Sequence, residues 1–213
     1  RGRSDGYTIL RVTVGTHAIN KWLYDKMPYD PVKDFAPISL VAGVPNVMVV
    51  NADKARALKI HNVQDFIAYA KANPGKLNYA SPGNGSPHHL AMEMFKNRTG
   101  TFITHIPYRG AAPAMADVMG GQVPCMFLDL ASGLPIMQSG KVRVLAIGSA
   151  QRSKLLPNVP TLAEVGVPNT EVFAFQGVLG PAGLPAPVVA RLNGELNKAF
   201  SNPAVQKRFT DFE

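Results

Sequence analysis

The chemistry this chain can offer concentrates in one short run, Tyr79-Ala80-Ser81-Pro82-Gly83-Asn84-Gly85-Ser86-Pro87-His88-His89-Leu90. Just before and within it, Leu77 and Tyr79 alternate with polar Lys76 and Asn78, as along a strand. Ser86 is a strong N-cap type, and Pro87 suits the first position of a helix. The run therefore predicts a strand end, a loop of small residues and a helix start. Gly83 and Gly85 have no Cβ, so the backbone can approach a ligand closely. A helix N-terminus offers free N–H groups and a partial positive charge, which together cradle a small anion such as a carboxylate. On this reading Ser81, Asn84, Gly85 and Ser86 are candidate contacts. The same residues also fit a tight, well-capped strand-to-helix turn with no ligand.

In a parallel sheet, ligands collect beyond the carboxyl ends of the strands. Four loops qualify: residues 15–17, 81–86, 107–111 and 129–133. They add Thr16, His17, Arg109, Gly110 and Asp129 to the candidates. Arg109 is the only cation among them, and a guanidinium can hold a carboxylate through two parallel hydrogen bonds. It also fits a surface or interface arginine. Asp129 ends an apolar strand, where it can hold a ligand amine or hydroxyl or cap the next helix.

Other chemistries find no support. His88 and His89 are adjacent and point about 100° apart on a helix. No His-x-x-x-His pair or cysteine cluster accompanies them, so no metal site is expected. Gly-x-Ser-x-Gly and Ser-x-x-Lys are absent, and Gly83-x-Gly85 lacks the Gly-Lys of a phosphate loop. Nothing places a base and an orienting carboxylate around Ser86. No catalytic residue and no cofactor is implied. An enzyme acting on a small carboxylate or phosphate remains the alternative from another class, and a ligand-sensing module for a signalling partner is a third.

Alternating elements must position these loops. Residues 7–14 read as a strand, followed by a helix with Ile19, Trp22 and Leu23 on one face. Residues 38–50 are apolar and β-branched, interrupted by Gly43 and Pro45, which predicts two extended pieces joined at a bend. Asn62 can cap a helix with Asp65 as its acidic partner and Val63, Phe66, Ile67 and Ala70 as its buried stripe. Strand and helix then alternate: strands at 76–80, 101–107, 123–129 and 142–148, helices at 87–98, 112–119 and up to Gly140. Leu90, Ala91, Met94 and Phe95 should face inward from the 87–98 helix. Such spacing means βαβ units and a parallel sheet. Residues 150–187 are proline-rich, with an apolar strand near 173–179. A final helix carries Val189, Leu192, Leu196 and Ala199, and Val205, Phe209 and Phe212 mark a last turn.

Composition bounds the rest. The chain has 213 residues, 46% of them hydrophobic and 17% charged, so it can bury a core and is not disordered. Twenty-two Lys and Arg against fourteen Asp and Glu give a formal charge of +8, spread along the chain without interleaved aromatics. Nucleic-acid binding is not supported. Cys125, the single cysteine, lies in an apolar run and reads as a small buried hydrophobe. No stretch approaches membrane-spanning length, and no signal-peptide pattern opens the chain.

Several motifs resemble a known family: residues 5–10 (DGYTIL), 15–20 (GTHAIN), 28–35 (PYDPVKDF), 79–83 (YASPG), 106–110 (IPYRG) and 157–164 (PNVPTLAE). They run in order along nearly the whole chain. They are similar to the Bug proteins, the extracytoplasmic solute receptors of tripartite tricarboxylate transporters. The resemblance implies an α/β, type II periplasmic-binding-protein fold. Its two α/β lobes close on a small carboxylate in the cleft between them. Residues 1–46 with 172–213 would form lobe 1, and residues 47–171 lobe 2. An opening βα unit and a C-terminal segment of lobe 1 are expected to be missing, leaving lobe 1 incomplete in this chain and prone to instability or self-association. The resemblance also implies a periplasmic location and membrane permease subunits as partners.

Overall fold

The computed structural model describes residues 3–210, with side chains described through Lys207. Arg1, the side chain of Phe209 and all of Phe212 lie outside the described residues. The chain divides into two compact units, residues 1–44 with 174–213, and residues 45–173.

Unit 2 carries most of the buried apolar surface. Its sheet is ordered β6–β2–β5–β3–β4, from strands β2 (Phe35–Asn51, shared with unit 1), β3 (Asn78–Ser81), β4 (Thr104–Pro107), β5 (Cys125–Asp129) and β6 (Val142–Ile147). β3 runs parallel to β4 and to β5. β2 enters between β5 and β6 and pairs antiparallel with both. The sheet is therefore mixed, not wholly parallel as the βαβ pattern predicts. Hydrophobic periodicity reports burial but not strand direction. Val47, Met48, Val49 and Val50 are all fully buried, as expected of a strand covered on both faces.

The helices of unit 2 follow from local chemistry. The Asn51 side chain ends β2 and caps a short α2 (Ala52–Ala57), accepting from Asp53 and Lys54 N–H, a helix the sequence pattern does not announce. α3 (Val63–Ala72) starts at Asn62, whose side-chain oxygen accepts from Asp65 N–H. Val63, Phe66 and Ala70 are buried on its inner face, and Ile67 is partly buried. α4 (Pro87–Thr99) begins at Ser86 and ends at Gly100, whose φ of 63° is the left-handed conformation glycine tolerates. Its inner face differs from the expected one. His88, Ala91, Met92, Phe95 and Thr99 are buried, while Leu90 and Met94 are only partly so. α5 (Ala111–Met119) follows Gly110, and α6 (Leu130–Gln138) follows Asp129. One core cluster gathers Phe66, Tyr79, Phe95 and Phe127; a second gathers Val47, Ala80, Val118 and Leu128. Cys125 is buried in the first.

Unit 1 is thinner. β1 (Leu10–Thr13) pairs antiparallel with β7 (Phe173–Pro181), and β7 neighbours the first half of β2. β2 is one continuous strand rather than two pieces joined at a bend. A π-helical turn at Gly15–Ile19 leads into α1 (Asn20–Leu23). Trp22 is 83% exposed and Leu23 is also exposed, so the expected apolar face of this helix is open. α7 (Ala186–Phe200) and α8 (Pro203–Thr210) end the chain. No residue of α7 is fully buried; Val189, Leu192 and Leu196 are half-buried, and Ala199 is exposed.

Gly133 on α6 lies against the core. A Cβ there would meet Leu128 Cδ1 at 1.8 Å, and Leu128 is itself buried. Gly133→Ala should lower the urea unfolding free energy by about 1–3 kcal/mol, the range typical of overpacking. An unchanged midpoint would show that Leu128 repacks freely.

Candidate functional site

The parallel pairing of β3 with β4 and β5 brings three loop starts to one edge of unit 2. Backbone bonds tie the first two together. Tyr108 N–H donates to the Ser81 carbonyl at 2.9 Å, and Gly110 N–H donates to the Pro82 carbonyl at 3.0 Å. From α4, His88 Nε2 lies 3.2 Å from Asp129 Oδ1 at the end of β5. Ser81, the 84–86 loop, Arg109, Gly110 and Asp129 thus belong to one loop cluster.

Each expected contact has a definite place in it. Ser86 Oγ accepts from His89 N–H at 3.2 Å and caps α4. Gly85 has a φ of +74° and Gly110 a φ of +113°, where a side chain would be strained. Three of the amides expected to face an anion are held internally instead. Gly85 N–H donates to His89 Nδ1, Ser86 N–H to the Gly83 carbonyl and Gly110 N–H to the Pro82 carbonyl. Asn84 and Arg109 are exposed. Asp129 occupies the position before α6 but makes no side-chain cap there; its partner is His88. Ser81 is fully buried, and its hydroxyl braces the loop from beneath.

Beneath the loops lies a stack of rings, Tyr79, His105 and His89, of which the sequence reading passes over His105. Tyr79 and His105 rings are 4.7 Å apart, and His105 and His89 rings 4.2 Å apart, nearly parallel in both cases. His105 Nε2 lies 2.6 Å from Ser81 Oγ, and that oxygen accepts from Gly83 N–H at 3.1 Å. Tyr79 Oη donates to Glu93 Oε1 at 2.6 Å, and Lys96 Nζ donates to the same oxygen at 2.6 Å. These residues alternate with apolar ones in β3 and β4 or recur at helical spacing in α4, which is the one signal that could have found them.

Burial sets the protonation of this stack. It holds His89 below the usual imidazole range. His105 is pushed down to about 4 by burial, with the neighbouring His89 adding to the effect. The Tyr79 hydroxyl is pushed well up, first by burial and then by its bond to Glu93. For Glu93 burial opposes ionisation, but the bonds from Lys96 and Tyr79 outweigh it and lower its pKa. A serine and a histidine at hydrogen-bond distance form the outline of an activated nucleophile. Ser81 is sealed from substrate, however, and a His105 with so low a pKa is a poor base at neutral pH.

Thr16 and His17 lie in unit 1. Thr16 Oγ1 donates to the Thr13 carbonyl at 3.0 Å and sits 3.0 Å from His17 Nδ1. The Tyr29 hydroxyl donates to the Thr16 carbonyl at 2.8 Å. The His17 ring meets Phe35 edge-on at 4.8 Å, and its Nε2 is buried with no hydrogen-bond partner among the described residues. Burial lowers its pKa. Among the described residues no three His, Cys, Asp or Glu side chains gather as a metal ion would need, and no helix is long and apolar enough to cross a membrane.

A model of the tripartite tricarboxylate transporter family receptor matches residues 1–213. The chain belongs to that family. BugT of Bordetella pertussis is 36% identical over 98% of this chain and 63% of its own length. An R. palustris protein solved with adipate is 36% identical, with a TM-score of 0.84, over 98% of this chain and 68% of its own. MatC of Rhodopseudomonas palustris, solved with bound malate, is 29% identical, with a TM-score of 0.84, over 99% of this chain and 70% of its own. The receptor family thus carries the periplasmic-binding-protein fold that the Bug-like motifs imply. The chain spans about three fifths of the curated relatives it matches, 59% and 63% for two of them.

The neutral His105 has a consequence for stability. Folded, it takes up a proton only near pH 4. Unfolded, it does so near about 6.5. Between those values the unfolded state binds more protons, so stability falls as pH drops through that window. Urea unfolding at a series of pH values should show this fall, and His105→Gln should make it shallower. Identical slopes in the two proteins would assign the effect to another group.

Proposed function

We propose that this chain is the ligand-binding part of an extracytoplasmic solute receptor, that it captures a small carboxylate and that it performs no chemistry on it. The observation that carries this reading is the single loop cluster of unit 2, where the 81–86 and 107–110 loops are joined by backbone hydrogen bonds and His88 of α4 lies 3.2 Å from Asp129. Its one cation, Arg109, is exposed beside the N-terminus of α5, where the first-turn amides of Ala111 and Ala112 have no helical partner. A guanidinium next to such amides suits a carboxylate. Relatives solved with adipate and with malate support the same class of ligand.

In this proposal Arg109 and the Asn84 side chain hold one carboxylate group. Asp129, a hydrogen-bond acceptor, takes a hydroxyl or ammonium elsewhere on the ligand. Thr16 and His17 of unit 1 are further contacts. Gly85, Ser86 and Gly110 give the loops their shape, and Ser81 braces them. In this reading the protein is periplasmic and delivers its ligand to permease subunits, which membership in the receptor family supports. The competing reading, an enzyme, would need a nucleophile or base open to substrate; the Ser81–His105 pair is closed to it.

Arg109→Gln tests the assignment by titration calorimetry with adipate, malate and a monocarboxylate such as propionate. Each of the three ligands presents a carboxylate to Arg109, so loss of that charge-assisted contact should weaken all of them by about 1.5–3 kcal/mol. Affinities unchanged in the variant would place the carboxylate elsewhere.

A further inference from the structure

The loop that carries Asn84 is held by two histidines that the binding proposal does not use. Gly85 N–H donates to His89 Nδ1 at 3.1 Å. That bond fixes the tautomer: Nδ1 must accept, so the ring proton lies on Nε2, 4.0 Å from Glu93 Oε1. The His89 ring lies face to face with His105 at 4.2 Å. His105 in turn reaches Gly83 through Ser81, whose Oγ bonds both the imidazole and the Gly83 amide. One stacked pair of imidazoles therefore fixes the amides on either side of Asn84. Gly85 needs such an anchor, because its positive φ is set by the loop's bonds and not by a regular element.

We propose that His89 is a positioning residue that holds the 83–86 loop in its binding geometry only while the stacked His89–His105 pair is uncharged, so that carboxylate capture is released in acid. The proposal rests on the receptor reading above. A protonated His89 would carry N–H at both ring nitrogens. Its Nδ1–H would then point at the Gly85 N–H, donor against donor, and the anchor would be lost. Burial is the largest influence against a charge on the ring, and Lys96 on α4 adds to it. Glu93 on α4, 4.0 Å from Nε2, favours the charge, but its carboxylate is already shared between Tyr79 on β3 and Lys96. His105 on β4 lies face to face with the ring and would repel it if both were charged.

The test uses the full chain as wild type, His89→Asn and His89→Leu. Asparagine places an oxygen near the Nδ1 position and cannot titrate; leucine offers no acceptor. Amide hydrogen exchange is converted to protection factors, which removes the intrinsic pH dependence, at about pH 7.5 and about pH 3.5, the lower value lying beneath the value of about 4 to which burial pushes the stacked His105. The expected result is that Gly85 protection in the wild type falls about tenfold on acidification, as for loss of one hydrogen bond. It should stay constant in His89→Asn and be low at both pH values in His89→Leu. Calorimetry with adipate as the probe should follow the same pattern, since protonation of adipate itself is common to all three proteins. A wild-type Gly85 equally protected at both pH values, or a protected Gly85 in His89→Leu, would overturn the proposal. Switching of Gly85 with no heat from adipate at either pH would uphold the positioning role of His89 and count against the receptor reading.

Discussion

Parallel hydrogen bonding of β3 to both β4 and β5 is the constraint on which unit 2 depends. Strands that run the same way end at the same edge, and each must be followed by a crossover. The 81–86 loop, the 107–110 loop and Asp129 are therefore neighbours by topology before any side chain is considered. Two backbone bonds, Tyr108 to Ser81 and Gly110 to Pro82, and the close approach of His88 to Asp129 hold an arrangement the sheet has already imposed. The antiparallel β2 leaves that edge unchanged while filling the centre of the sheet with buried valines and a methionine.

A second constraint concerns the polar groups beneath the loops. Tyr79, Ser81, His89 and His105 all carry hydrogen-bonding atoms where water is largely excluded, and an unpaired polar atom there would be costly. The structure pairs them in sequence: Gly83 amide to Ser81, Ser81 to His105, Gly85 amide to His89, Tyr79 and Lys96 to Glu93. Two links, Gly83 to Ser81 and Gly85 to His89, run from the loop to a regular element, and the others join β3, β4 and α4 beneath it. The loops thus inherit the rigidity of the sheet and of α4, and a preordered loop limits the ordering any ligand would have to impose.

Much of this was legible in the sequence because it depends on local chemistry. Ser86-Pro87 announces the start of α4, Asn62 that of α3, and the Bug-like motifs announce the family. What escaped depends on tertiary context. A continuous β2 through Gly43 and Pro45 contradicts the breaker rule, because pairing along its length outweighs local preference. The inner face of α4 runs through His88 and Met92, since His88 meets Asp129 across the fold rather than facing water. The free amides expected at Gly85 and Ser86 were found bonded, because their acceptors, His89 Nδ1 and the Gly83 carbonyl, depend on a ring orientation and a loop turn that spacing does not reveal. His105 drew no attention as a lone histidine in a short strand; only its place between Tyr79 and His89 gives it a role. In unit 1, Trp22 and Leu23 keep helical spacing yet remain exposed, so periodicity marked a face that nothing in the described residues covers.

The central claim is that the unit 2 loop cluster receives a small carboxylate without transforming it. An amide-resolved NMR titration of the isotope-labelled chain with adipate tests this most directly. The account predicts saturable shifts at Asn84, Arg109, Ala111, Ala112 and Asp129, with the adipate recovered unchanged. Saturable binding that leaves those amides unmoved, or conversion of the adipate into a product, would contradict it.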